Sequence, residues 1–258
     1  HCGDGSRAHP QEFCEKLSQS RITVFQTLFT VRRIFNFLVL LFLKTLVHLF
    51  YRFDVEWIPE EPEDPWGDYR ILCMLNHTSL FEWLYVGVVP VKFVWYISGH
   101  AMVPIADITI QRPFVGTFYK MLAPHLLPIT RHADKTWKSV VEFVRDDLMV
   151  VILPEGRMKR LDGLDKKGRE MTVRGGIADI MQCIDEGTML IAYSGGLHHV
   201  QAPGQHLPRL FKTLRMRLEE VDIAEYKRRH GADEDPQEFK ANVKKDLESR
   251  RDRYCPVA

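Results

Sequence analysis

The amino-acid sequence predicts an α/β domain, a mixed central sheet flanked by helices, behind an N-terminal helical segment. Three observations point that way. From residue 67 onward, short apolar runs alternate with helix-period segments, the signature of a sheet between helices. A longer apolar stretch of a different kind precedes them. The 258 residues, 45% of them hydrophobic, suffice to bury one substantial core.

The elements follow in order. Residues 11–33 read as an amphipathic helix, with Ile22, Phe25, Leu28 and Phe29 at helical spacing. Ile34–Tyr51 is the most apolar stretch and would reach about 27 Å as a helix, the lower edge of a membrane span. Arg33, Asn36, Leu40, Lys44 and His48 step round by three or four residues and make one face mostly polar. That suits a monotopic helix lying in a membrane interface or inserted shallowly; a core helix is the alternative. Residues 1–58 therefore form a membrane-associating segment, and 59–66 an acidic, Pro-rich linker. Arg70–Leu75, Phe93–Ser98, Leu126–Thr130, Met149–Leu153 and Met189–Tyr193 read as buried strands. Thr136–Leu148 and Val173–Glu186 read as helices, and the alternating Lys212–Leu218 as an outer or edge strand. The main domain spans 67–225. In 226–258, Asp235-Pro236-Gln237-Glu238 starts a basic C-terminal helix. Phe239, Val243 and Leu247 form its docking stripe, and its Lys and Arg residues read as solvated.

Composition excludes some classes. The net charge is +1, so nothing points to nucleic acid. The cysteines at 2, 14, 73, 183 and 255 form no CxxC pair, which fits free thiols in a reducing compartment. The spacing of His198, His199 and His206 lacks a metal-ligand set, and Ser194 lacks a GxSxG elbow.

Chemistry-bearing residues cluster at strand ends, the usual place for sites in α/β sheets. Asn76-His77-Thr78-Ser79-Leu80-Phe81-Glu82 follows the strand at 70–75. In one helix His77 and Glu82 would stand about 140° apart. They meet only if His77 precedes the helix and Glu82 lies in its first turn. A carboxylate-held imidazole is a general base near neutral pH, whereas a capping box would use Glu82 for the backbone alone. Pro154-Glu155-Gly156-Arg157-Met158-Lys159-Arg160 follows the strand at 149–153 and could hold a phosphate. Pro128-Ile129-Thr130-Arg131 and Ser194-Gly195-Gly196 end two further strands.

The order NHxxxxE, Arg-ended strand, PEGR and Gly-ended strand resembles the lysophosphatidic acid acyltransferase (PlsC-like) family over residues 70–200, as a divergent member. The resemblance implies a PlsC-like acyltransferase domain with His77 as catalytic base and Glu82 as its carboxylate. It matches Glu155 and Gly156 to the EGTR block and Arg131 to the second-block Arg. Glu82 replaces the usual Asp, Arg157 is shifted by one so that Lys159 or Arg160 shares its role, and Ala192-Tyr193 replaces the fourth-block Pro. His100 is the nearest counterpart of a basic residue after the third strand.

The resemblance further implies direct transfer of a fatty acyl group from acyl-CoA or acyl-carrier protein to a lysophospholipid hydroxyl, with no cofactor beyond that co-substrate. Asn76, Arg131, Glu155, Gly156, Arg157 and Lys159 would bind substrate, and backbone N–H groups near the helix start would serve the oxyanion. The partners are a membrane lipid surface, a lysophospholipid acceptor and an acyl thioester donor, at the cytoplasmic face of the inner membrane. Two alternatives stand beside this reading: a non-glycerol lyso-lipid acceptor, or a catalytically silent lipid-binding protein.

Overall fold

The structure, a computed structural model, describes residues 10–130, 135–144, 148–202, 205 and 207–257, with side chains from residue 26 onward. Helix α1 (Pro10–Phe50) leads into β1 (Arg52–Trp57) and β2 (Tyr69–Leu75). A 3-10 turn (Glu82–Gly87), α2 (Val91–His100), β3 (Ala101–Ala106), α3 (Asp107–Ile110) and α4 (Pro113–Leu122) follow. Next come β4 (His125–Ile129), α5 (Lys135–Phe143), β5 (Met149–Ile152), α6 (Gly176–Gln182) and β6 (Thr188–Ser194). The chain ends with β7 (Thr213–Asp222), α7 (Ile223–Arg229) and α8 (Pro236–Tyr254).

The seven strands form one mixed sheet in the order β1-β7-β6-β2-β5-β3-β4. All neighbours are parallel except β6 and β7. Strand alternation sorts the core onto two faces. Ile71, Cys73 and Leu75 face α5, α6, α7 and the Phe239/Val243/Leu247 stripe of α8. Tyr69 and Met74 face Val47 and Tyr51 at the end of α1, Phe93 of α2, and Leu84 and Tyr85 of the 3-10 turn.

Four expectations need correction. Phe93–Ser98 is helical, within α2. Phe93, Val94, Ser98 and Gly99 are buried while Val91 and Trp95 are exposed, a helix face; a six-residue apolar run does not separate helix from strand. The strand there is β3, which starts where α2 ends. Second, β7 is not the outer strand. β1 pairs outside it, although β1 was assigned to the N-terminal segment. Its charges match those of β7: Arg217 Nε lies 2.7 Å from Glu56 Oε2, and Arg215 Nε 3.4 Å from Asp54 Oδ2. Third, α1 is one unbroken helix rather than two segments.

The fourth correction concerns the faces of α1. The polar stripe turns toward protein, not toward lipid headgroups. Asn36, Leu40, Leu43 and Val47 are buried. Lys44 Nζ donates to Gly87 O at 2.6 Å, and His48 Nε2 lies 3.0 Å from the same carbonyl. Arg33 stacks on Trp95, 4.3 Å from the ring centre. Leu28, Val31, Phe35, Leu38, Phe42 and Leu49 are exposed instead. Residues Gln26–Phe50 are long and apolar enough to cross a membrane by length and composition.

The two faces should respond differently to truncation. Leu40→Ala is expected to cost about 2–5 kcal/mol of unfolding free energy. Phe42→Ala, at a side chain 65% exposed, should stay within about 0.5 kcal/mol of wild type. Urea denaturation checks both, and equal losses would contradict the packing of α1.

Candidate active site

Adjacent strands β2 and β5 end side by side, so the loops after them touch. The turn after β2 needs a left-handed residue, and Asn76 supplies it at φ 67°, a region asparagine tolerates better than most residues. Its Nδ2 donates to Ser194 O at 2.9 Å. The turn after β5 uses Gly156 at φ 60°. Glu155, just before it, is 1% exposed. Its Oε2 accepts the His77 N–H at 2.7 Å, and its Oε1 accepts the Asn76 N–H at 3.3 Å. In return Lys159 N donates to His77 O at 2.7 Å.

His77 precedes the 3-10 turn and Glu82 opens it, the one arrangement that lets them meet. Glu82 Oε1 lies 3.0 Å from His77 Nδ1. The contact is at ion-pair distance, and among the described residues Nδ1 has no other partner. The same oxygen accepts the N–H groups of Thr78 at 3.0 Å and Ser79 at 2.9 Å. Capping and imidazole support are therefore one arrangement, not alternatives. The Thr78 and Ser79 N–H groups point at Glu82 and are not oxyanion donors here.

Burial by itself would lower the His77 pKa. The Glu82 carboxylate, and Glu155 behind it, outweigh burial and hold the imidazole above its ordinary 6.5. With Nδ1 turned to Glu82, Nε2 is left for a substrate.

His77 lines a cavity of about 410 Å³ with a mostly aliphatic and aromatic wall, including Leu80, Val103, Ile105, Tyr119 and Ile129. Gly156 lines it too, as do two cations that sequence reasoning missed, Arg174 and Lys240. Arg174 leans on Gly156: a Cβ there would stand 3.2 Å from the Arg174 Nε. The Lys240 stem fills the space left by the missing Cβ of Gly175. Its Nζ lies 2.6 Å from Asp179 Oδ1, and Asp179 Oδ2 accepts from Trp137 Nε1 at 3.0 Å. Arg174-Gly175-Gly176 ahead of α6 was the available signal for the first cation. Lys240 had none, because its burial comes from the docking of α8.

The other expected ligands are placed differently. Arg157 does not line this cavity; its guanidinium is bound to Asp165 Oδ2 at 2.6 Å, Thr172 Oγ1 at 3.0 Å and Glu170 O at 3.2 Å. It braces the 157–172 loop, away from the cavity on which His77 opens. Lys159 and Asn76 line a second, polar cavity of about 370 Å³ with Arg160, His198 and Arg251. Arg131 and His206 lie outside the described residues. His100 ends α2 with Nδ1 2.9 Å from Tyr96 O. His198 Nε2 lies 2.8 Å from Lys159 O and His199 Nε2 2.9 Å from Thr213 O. Arg250 and Arg251, read as solvated, are side chains only 17% and 13% exposed.

A buried histidine–carboxylate pair at the carboxyl ends of parallel strands, opening on a largely apolar cavity, is the arrangement of a general base beside a substrate pocket. The chain matches the acyltransferase family model over residues 56–193, more than half its length, and it belongs to that family. Among solved structures it is similar to the crystal structure of the 1-acyl-sn-glycerophosphate (LPA) acyltransferase PlsC from Thermotoga maritima, at 15% identity and a TM-score of 0.49. That match covers 91% of this chain and 83% of the other. No curated protein matches the chain.

The pair has a measurable signature. The His77 ring should titrate above 6.5 by NMR. Glu82→Gln keeps an acceptor for the two backbone N–H groups but removes the charge, so the titration should move to lower pH. An unshifted midpoint would show that the Glu82 charge does not reach the ring.

Proposed function

We propose that this acyltransferase moves a fatty acyl group from an acyl thioester to the hydroxyl of a phosphate-bearing lyso-lipid at a membrane surface. One observation carries the reading: the carboxylate-backed His77 opens on a single apolar cavity that also holds Arg174 and Lys240. His77 Nε2 takes the hydroxyl proton as the acceptor oxygen attacks the thioester carbonyl. The C–O bond forms, the C–S bond breaks, and the departing thiolate receives the proton from the imidazolium. Glu82 fixes the ring and stabilises the imidazolium. Glu155, whose oxygens accept backbone N–H groups of the His77 loop, shapes that loop rather than binding the acceptor. Arg174 and Lys240 take the phosphate role first assigned to Arg157. The donor is acyl-CoA or acyl-carrier protein.

The test is an acceptor panel read by mass spectrometry, with lysophosphatidic acid, monoacylglycerol and a sphingoid base offered beside acyl-CoA. Lysophosphatidic acid should be acylated fastest. His77→Ala should lower turnover by about a hundredfold to ten-thousandfold, and Lys240→Ala should raise KM for lysophosphatidic acid but not for monoacylglycerol. Normal turnover in His77→Ala would sink the mechanism; equal use of monoacylglycerol would sink the phosphate-bearing acceptor.

Membrane attachment rests on the outward apolar face of α1, and the cytoplasmic side is where acyl thioesters are made. Removing 1–51 would strip Val47 and Tyr51 from the core, so point substitutions are the cleaner probe. Phe42→Glu with Leu38→Glu should leave the melting temperature unchanged and release the protein from sedimenting liposomes. Retention on liposomes in high salt would place the anchor elsewhere.

A further inference from the structure

We propose that Arg251, on a helix outside the acyltransferase match, is a positioning residue for His77 and makes α8 part of the active site. The inference rests on His77 serving as the base. Glu155 holds the His77 loop by accepting its backbone N–H groups, yet a carboxylate 1% exposed is costly to keep ionised without a cation. Arg251 supplies it: Nη1 donates to Glu155 Oε1 at 3.3 Å. Among the described residues, no other cation bonds to Glu155.

The guanidinium is itself fixed. Nη1 also donates to Met171 O at 3.0 Å, and Nε to Asp252 Oδ1 at 2.9 Å. The helix beneath it is docked by Phe239, Val243 and Leu247, all fully buried. Its Glu248 Oε1 accepts the Val173 N–H at 2.7 Å, so α8 also holds the loop ahead of α6. Of the other cations of this region, Arg157 and Arg169 both turn to Asp165. The chain of contacts runs Arg251, Glu155, His77 N–H, and it ends on a loop whose Asn76 already sits in the left-handed region. Without the cation, Glu155 loses its counter-charge and the loop its anchor. A displacement of about 1 Å at a reacting group costs up to about a hundredfold in rate.

The experiment compares Arg251→Met, which keeps the stem and removes the charge, with Arg251→Lys, Glu155→Gln and the Met/Gln double variant. Arg253→Ala, at an exposed position, is the control. Arg251→Met should lower kcat by up to about a hundredfold, leave KM for both substrates within about twofold, and be partly rescued in Arg251→Lys. The double variant should be no worse than Glu155→Gln, because the two act through one link. Losses that multiply in the double variant, or wild-type kcat in Arg251→Met, would overturn the proposal. If Arg251→Met does not fold, Arg251→Gln decides: lower kcat at an unchanged melting temperature supports the link, and unchanged kcat refutes it. The His77 amide proton, hydrogen-bonded to Glu155, should shift in NMR spectra of Arg251→Lys. That signal reads the link without turnover, so its failure is separable from failure of the acyl-transfer reading.

Discussion

The buried carboxylate of Glu155 is the constraint on which the site depends. It stands at the end of β5 and accepts the first two N–H groups beyond the end of β2. Two loops that would otherwise leave the sheet independently are thereby tied into one. The reciprocal bond from Lys159 N to His77 O closes the tie from the other side. A glutamine at 155 would offer one acceptor oxygen where the two N–H groups use two, would not draw a guanidinium from a distant helix, and would not add to the field that keeps His77 basic. Loop geometry and part of the charge around His77 thus share one origin, with Glu82 the larger support of the basic ring.

Glu82 shows the same economy at the next step along the chain. A carboxylate that only capped a helix would leave the imidazole unsupported. One that only faced the imidazole would leave the Thr78 and Ser79 N–H groups without a partner. A single oxygen serves all three, and the glutamate reaches back because the helical turn starts at Glu82 itself.

Much of this was legible in the sequence, and the illegible part has a consistent cause. The strands at 69–75, 149–152 and 188–194 are short, continuous apolar runs, and their ends placed His77 and Glu155 on one edge of the sheet. The capping signature of Asp235 is met, with its carboxylate accepting the Gln237 N–H at 2.9 Å. What failed were several inferences about which way a polar side chain turns. Lys44 and His48 were assigned to headgroups, Arg157 to a phosphate and Arg251 to solvent. Each has its partner in a segment remote in sequence or across a loop: Gly87 O, Asp165 and Glu155. Local periodicity reports that a face is polar; it does not report what that face meets. Strand β1 was missed for a related reason. Its alternation of Arg52, Asp54 and Glu56 with Phe53, Val55 and Trp57 looks like a tail end until Arg215 and Arg217 of β7 are beside it.

The 3-10 turn Glu82–Gly87 gathers these threads. Its first residue holds the imidazole, and its last carbonyl accepts from Lys44 and lies beside His48 of α1. A cation at the carboxyl end of a helical turn is favourably placed with respect to its backbone dipoles, and a carboxylate at the amino end is the matching case. The turn is therefore polarised in the sense that both of its side-chain partners stabilise. Turning the polar stripe of α1 inward to meet it leaves the apolar side chains of Phe35, Leu38, Phe42 and Leu49 outward. The same contact that seats the N-terminal helix on the domain thus presents its lipid-compatible face and fixes that helix, through six residues of backbone, to the carboxylate that keeps His77 in register.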